Sequence, residues 1–321
     1  MITLSKIAKL AHVSVSTVSK AFSGSSEVNE KTRELIFEIA KQENCFKKYY
    51  NVKYPKYVIA VICPEFRSRY YTTYLSSLHE ELSKYNCEIS VAATEFSKEK
   101  EEDLLEYYTK HSTVDGIIIV NPKTKLNIEV DIPIAAIGYS NNKNEIISIN
   151  VDFNESISEA IAYFKENGVK DIGFIGEKLT TAKFNCFKNA MTTHGIKINE
   201  DFIAISDERF EEGGYLAMEE LFKRNAVPRA IICSYDNLAF GAMVSIFEHG
   251  LKVPDDIAVL GMDDVREAKY MNPPLSSINL RIDTACEIAA KEIINKITDK
   301  PVNYENFIPY KLNLRKSTEI K

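Results

Sequence analysis

Apolar and polar positions change their period along this chain, and each change marks a different kind of structure. In residues 2–22 the apolar positions Leu4, Ile7, Ala8 and Ala11 follow the i, i+3, i+4, i+7 spacing of one helical face. A break follows at His12-Val13. Ser14 then stands where an N-cap belongs, ahead of Val15, Val18 and Phe22 on a second buried stripe. A third helical pattern over 29–42 offers Thr32, Leu35, Ile36, Ile39 and Ala40 as the lid over both. Three helices in about 45 residues can close a small core. The spacing predicts an all-α helix-turn-helix head.

Residues 43–57, ENCFKKYYNVKYPKY, keep no clean period and mix four lysines with five aromatics. They read as a linker, either ordered against a polyanion or a solvated tether. From Tyr57 the pattern changes again. YVIAVI is a continuous apolar run, as in a strand buried on both faces of a parallel sheet. A helical stretch near 71–85, the strand CEISVAAT, a helix over 100–110, and the strands GIIIV and IPIAAIG follow, ending near 147–151. A second series then runs through DIGFIG, DFIAIS, RAIICS and DIAVLG, with helices near 155–167, 183–193, 213–223 and 237–249. This alternation predicts two doubly wound α/β lobes with a cleft between them. A helix over 284–297 and a strand near 308–314 must pack back on them. The expected domains are 1–46, a linker at 47–57 and a two-lobed body at 58–321. Its first lobe takes 58–149 plus 281–300, and its second takes 150–280 plus 301–321.

Charge sharpens this division. The net charge of −6 hides a split: residues 1–57 hold ten Lys+Arg against five Asp+Glu, and the remainder thirty against forty-one. A basic head on an acidic body suits a protein that meets nucleic acid through one end. The outward face of the second helix carries Ser16, Thr17, Ser19 and Lys20, side chains that reach phosphate oxygens and base edges. Six cysteines without a CxxC pair argue against zinc or a disulfide framework and fit reduced thiols in a cytoplasm. No signal-peptide pattern and no run of about 20 apolar residues is present, so no membrane partner is expected.

In open α/β sheets ligands bind beyond the carboxyl ends of the strands. Those ends supply Glu65 and Phe66, Asn121, Gly138 and Tyr139, Tyr235 and Asp236, and Asp263 and Asp264, with Tyr71 at the start of a helix. Acids and aromatics together suit a polyhydroxylated ligand, since carboxylates accept from hydroxyls and rings stack on apolar sugar faces. A strand-end Asp also serves as a helix N-cap, and Asp236 before Asn237-Leu-Ala is open to that reading.

The segment TLSKIAKLAHVSVSTVSKAFSGSSEVNEKTRELI, with VDGIII, DIPIAAIG, VDFNESISEA, KDIGFIG, YDNLAFGAM, GLKVPDDIAVLGMDD and NPPLSSI in order behind it, resembles the lactose/galactose-repressor (LacI/GalR) family of bacterial transcription regulators. The resemblance covers nearly the whole chain. It implies a head that inserts its second helix in the major groove of operator DNA as a homodimer. It also implies a periplasmic-binding-protein-like body that binds a small effector, usually a sugar, with no cofactor, metal or catalytic residue. Carried over, Val15, Ser16 and Lys20 stand at base-contacting positions, and Ser14, Thr17, Ser19, Ser23 and Asn29 at phosphate-contacting or capping positions. Lys183, Phe210, Tyr235 and Asp263 fall where the family contacts effector. Four departures stand out: His12 for a turn glycine, Lys20 for arginine, KKYYNVKYPKY for the family's hinge helix, and Lys183 and Gly138 for Arg and Asp in the cleft.

Rival classes are weaker. An enzyme is disfavoured by only five histidines and the absence of GxSxG, Walker A or HExxH motifs. A transport-type binding protein would fit the body but not the basic head. A nucleobase or protein co-regulator remains an alternative to a sugar, and whether effector induces or corepresses is open.

Overall fold

The computed structural model describes residues 3–49, 57–126, 132–139, 146–151 and 153–320. The chain forms two compact units, the first built on residues 1–58 and the second on most of the remainder. The expected hinge at 47–57 lies largely outside the described residues, since 50–56 are not among them.

The first unit contains helices α1 (Leu4–Leu10), α2 (Val15–Phe22), α3 (Glu30–Gln42) and α4 (Phe46–Tyr49). Local chemistry sets the ends. Ser14 Oγ accepts from the Thr17 N–H at 3.0 Å, capping α2, and Asn29 Oδ1 accepts from the Thr32 N–H at 2.9 Å, capping α3. The turn between α1 and α2 puts His12 at φ 52°, the left-handed region where glycine is easiest and a side chain carries a small cost. Ile7, Ala8, Ala11, Val18, Ala21, Phe22, Val28, Ile36 and Ala40 fill the core. Two expectations fail here. Val15 is 44% exposed and Leu35 45% exposed, because Ala21 takes the third buried slot on α2 and the half-buried Phe37 packs in from α3. Phe46 and Tyr49 also pack on this core: Phe46 lies edge-on to Phe37 at 5.0 Å, and Tyr49 stands 5.8 Å from Phe22. The aromatics that looked like linker close the head.

The second unit holds two sheets. The first joins β1 (Tyr57–Cys63), β2 (Cys87–Ala93), β3 (Gly116–Val120), β4 (Ile134–Ile137) and β5 (Ile147–Val151), with α5 (Arg69–Ser83) and α6 (Lys98–Glu106) between them. The second sheet is built from α7 (Asn154–Glu166), β6 (Ile172–Glu177), α8 (Thr181–Thr193), β7 (Ile203–Ser206), α9 (Phe210–Lys223), β8 (Ala230–Cys233), α10 (Asp236–Glu248), β9 (Ala258–Met262) and β10 (Ser276–Asn279). The chain then returns through α11 (Ile282–Ile297), which packs on β3, β4 and β5, and ends with β11 (Phe307–Ile308) and β12 (Lys311–Asn313). Strand orders are β11-β5-β4-β3-β1-β2 and β12-β10-β9-β8-β6-β7. Apart from the antiparallel β10–β12 pair, the pairings from β3 to β11 and from β6 to β12 are parallel. The continuous apolar runs explain why: β3 and β4 are buried at every position.

The segment expected as one final strand at 308–314 is two. β11 joins the first lobe and β12 the second, so residues 301–321 do not all belong to the second lobe; the chain crosses between lobes after 151, after 279 and again between 308 and 311. Among the described residues no helix is long and apolar enough to cross a membrane.

Asp236 shows how the second lobe is braced. It opens α10 fully buried, with Oδ1 accepting from Ser277 Oγ at 2.6 Å and Oδ2 from the Val265 N–H at 2.8 Å. Burial pushes its pKa well above the usual carboxylate range, opposed by these hydrogen bonds. Asp264 binds the returning chain through Arg315 at 2.7 Å, Asn279 at 2.9 Å and Asn313 at 2.7 Å. Asp236→Ala is expected to strand the Ser277 hydroxyl and the Val265 N–H, destabilising the body by about 3 kcal/mol in urea unfolding. A loss under about 0.5 kcal/mol, the range of an ordinary surface substitution, would contradict a bracing role.

Candidate functional sites

The eight residues singled out in the head divide into two groups. Ser14 and Asn29 spend their side-chain oxygens on the two caps, and Thr17 Oγ1 lies 2.8 Å from Ser14 Oγ. Ser23 Oγ donates back to the Lys20 carbonyl at 3.1 Å. Val15, Ser16, Ser19 and Lys20 are exposed on α2. The Lys20 ammonium is paired with Glu27, a residue of the α2–α3 loop to which sequence reading gave no role. Glu27 is one of five acids in residues 1–57, and nothing in the local spacing sets it apart. Arg33 fixes that loop by donating to the Ser25 and Val28 carbonyls at 2.7 and 3.1 Å.

The second site is a cavity of about 320 Å³ between the lobes of the body. Its first-lobe wall includes Tyr70, Tyr71, Phe96, Asn121 and Gly138; its second-lobe wall includes Lys183, Arg209, Phe210, Tyr235 and Asp263. Asn121, Gly138, Tyr235 and Asp263 stand just past the ends of β3, β4, β8 and β9, while Tyr70 and Tyr71 come from α5 and Lys183 from α8. Asp263 directly follows β9 at φ 94°, an uncommon conformation of the kind found at binding sites. Its carboxylate is buried and meets Lys183 Nζ at 3.3 Å, while Nζ also donates to the Ser234 carbonyl at 2.7 Å. Burial raises the Asp263 pKa, and the lysine only partly offsets it. The ammonium lies 5.1 Å from the Phe153 ring centre and 5.7 Å from that of Tyr70. Burial also pushes the Tyr70 hydroxyl up to about 12, so it stays protonated.

Phe210 sits at φ 60° with its N–H donating to the Tyr235 hydroxyl at 3.0 Å, and its ring is edge-on to Tyr235 at 6.3 Å. A bulky residue at positive φ is strained, and this hydrogen bond and ring contact help to hold it. On the facing wall Asn121 Nδ2 donates to the Tyr70 and Tyr71 hydroxyls at 3.3 and 3.5 Å. Gly138 makes room for it: at φ 75°, a Cβ there would stand 1.9 Å from Asn121 Oδ1. The carboxamide occupies the place a side chain at 138 would need.

Tyr71, Lys183, Phe210, Tyr235 and Asp263 therefore meet around one cavity; the strand-end argument points to Tyr235 and Asp263, and the family resemblance to Lys183 and Phe210. Five strand-end candidates do not line it: Phe66, Tyr139 and Asp264 are not among the lining residues, and neither are Asp236 and Glu65. Asp236 is turned into the lobe interior with both oxygens engaged, so its neighbour Asn237 reaches the cavity instead. Glu65 gives both carboxylate oxygens to Arg209, at 2.7 and 2.9 Å, and is not among the lining residues. Sequence reading missed Arg209 and Glu177. The 144 residues between Glu65 and Arg209 leave no spacing signal, and Glu177 directly follows the apolar run DIGFIG with nothing local to mark it. Among the described residues no group of three or more His, Cys, Asp or Glu side chains could hold a metal ion.

Comparison with known proteins matches each unit to a family. Residues 3–45 match the model for bacterial regulatory proteins of the lacI family, and residues 161–318 match a periplasmic binding protein-like domain. The chain is 29% identical to the "Probable HTH-type transcriptional repressor ExuR" of Bacillus subtilis (strain 168), over 96% of this chain and 95% of that protein. Among solved structures it is similar to the complex of the transcriptional regulator CelR with cellobiose (TM-score 0.66, 22% identity, 99% of this chain and 100% of that one). It is also similar to the lac repressor dimer bound to operator and an anti-inducer (TM-score 0.71, 19% identity, 99% of both chains).

Glu27 neutralises the cation that α2 exposes, and an exposed pair of this kind is weak enough to break on binding. Glu27→Gln is expected to raise affinity for random-sequence duplex DNA by up to about fivefold, the equivalent of about 1 kcal/mol. It should also steepen the log K against log salt slope by about one. Unchanged affinity and slope, measured by fluorescence anisotropy, would place Lys20 away from the DNA.

Proposed function

Because the chain belongs to the lacI family of bacterial regulatory proteins and is a DNA-binding transcription regulator, we propose that it is a repressor whose hold on operator DNA is set by a sugar bound between the lobes of its body. The observation that carries the effector class is the cavity itself. Phe210 and Tyr235 offer rings from one wall and Tyr70 and Tyr71 from the other, while the Asp263–Lys183 pair and the Asn121 carboxamide supply acceptors and donors among them. Ring faces cover the apolar C–H side of a pyranose, and the polar groups bind its hydroxyls. The cellobiose held by the similar CelR supports the same class.

In the head, α2 enters the major groove with Val15, Ser16 and Lys20 toward base edges and Ser19 and Ser23 toward phosphates. Ser14, Thr17 and Asn29 fix the helix ends that present them. Lys20 acts as a point charge rather than the planar fork an arginine would offer, so its grip on a guanine is less directional. The chain acts as a homodimer, so two heads meet the two halves of a pseudo-palindromic site. Sugar binding favours one arrangement of the lobes. The operator affinity then changes by the ligand's differential affinity for the two arrangements and no more, typically about 5- to 150-fold.

Asp263→Ala should abolish the response of operator affinity to sugar while leaving operator affinity itself within about twofold, because the head folds on its own core. Calorimetry against a sugar panel, paired with anisotropy on DNA selected by this chain from a random library, tests both halves. Loss of DNA binding in the variant would recast Asp263 as a structural residue. A cavity that takes up a sugar without changing operator affinity would remove the allosteric part of the proposal.

A further inference from the structure

Arg209 occupies a position that the binding of a sugar does not by itself require. It immediately precedes α9 in the second lobe, yet its guanidinium makes a bidentate pair with Glu65, which follows β1 in the first lobe, at 2.7 and 2.9 Å. Its Nε also donates to Glu177, at the end of β6 in the second lobe, at 3.2 Å. Both carboxylates are nearly out of solvent: the side chains of Glu65 and Glu177 are 9% and 4% exposed. Two rings complete the setting, Phe96 of the first lobe 5.5 Å from the guanidinium and Phe210 of the second at 4.5 Å. One cation is thus shared between two carboxylates and two rings, with one of each on either lobe.

We propose that Glu65, Arg209 and Glu177 form an inter-lobe latch, built from the chain's own side chains, that holds the two lobes together at the cavity and sets how readily they part. Glu177 and Phe210 fix the guanidinium to the second lobe, and Glu65 is the strike plate on the first. Parting the lobes withdraws Glu65 and leaves the Arg209–Glu177 pair intact. Water then reaches both freed groups, so release costs the bidentate pair but strands no buried charge. At the rim Arg69 of the first lobe meets Glu267 of the second at 2.9 Å, a second contact of the same sense but in solvent and therefore weak. The latch regulates the cavity assigned above to the effector and rests on that reading for its biological meaning. Its physical existence is testable without DNA or sugar.

The test measures the distance between the lobes in the full chain. Nitroxide labels go on Glu102→Cys in α6 and Thr192→Cys in α8, both exposed positions, in a Cys186→Ser background; the other five cysteines are buried. Labelled chains are diluted with unlabelled chains so that each distance comes from one molecule. With neither DNA nor sugar added, pulsed electron spin resonance should give one dominant short distance in the parent. Glu65→Gln should move most of the population to a longer distance, and Glu65→Asp, which keeps the charge but shortens the reach, should move a smaller share. Folding is checked for each by cooperative urea unfolding. An unchanged distribution in a folded Glu65→Gln protein would overturn the latch. Failure of both variants to fold would overturn it too, since the pair would then be a folding strut rather than a releasable contact. Either failure leaves the regulator reading standing, because operator binding and its response to sugar are measured separately.

Discussion

A charge taken out of water must be met by an opposite charge or by well-aimed hydrogen bonds, and the body of this chain is arranged around that constraint. Four ionisable groups with little access to solvent line its cavity, Glu177 and Asp263 against Lys183 and Arg209, and Glu65 pairs with Arg209 from beside it. The second lobe carries two of each sign and the first adds only Glu65, so the five leave one carboxylate in excess. Lys183 and Asp263 pair within the second lobe and lean on a ring of the first, while Arg209 takes one carboxylate from each. The raised pKa of Asp263 and of Glu177, both driven first by burial, shows that the compensation is partial. Polar groups kept slightly short of partners in a cleft are well placed to respond to a ligand that brings hydroxyls.

The fold supplies the rigidity this needs. Strands β3 and β4 are buried along their whole length, so the residues that follow them, Asn121 and Gly138, are fixed by strands that cannot shift without losing their packing. Across the cleft Asp236 ties the start of α10 to β10 and to the loop after β9, directly behind Asp263. Three crossings between the lobes, after 151, after 279 and between 308 and 311, leave the cavity walls joined by short connections only. Rigid lobes on short connections are the arrangement in which a small change at the cleft becomes a displacement of one whole lobe.

What the sequence made legible follows from how local each signal is. The cap at Ser14 spans three residues and was readable, and the α/β alternation was readable because parallel strands need continuous apolar runs. The family likeness supplied Lys183, Phe210, Tyr235 and Asp263, which do line one cavity. Interactions between distant segments were not legible. Arg209 and Glu65 meet across 144 positions, and Asp236 looks like any strand-end acid until Ser277 and Val265 are seen beside it. Val15 and Leu35 misled because helical spacing identifies a stripe but not how wide the neighbour's footprint is. Phe46 and Tyr49 hid in a stretch too short to show a period.

The central claim is that occupancy of the cleft and grip on DNA are two readings of one equilibrium. Linkage makes that claim quantitative, since the factor by which a sugar changes operator affinity must equal the factor by which operator changes sugar affinity. The direct measurement is calorimetric titration of the effector sugar into the full chain, alone and saturated with its selected operator duplex, beside anisotropy titrations of that duplex with and without the sugar. The account predicts that the two ratios agree and differ from one by roughly 5-fold or more. Sugar affinity that is the same with and without bound operator would contradict it.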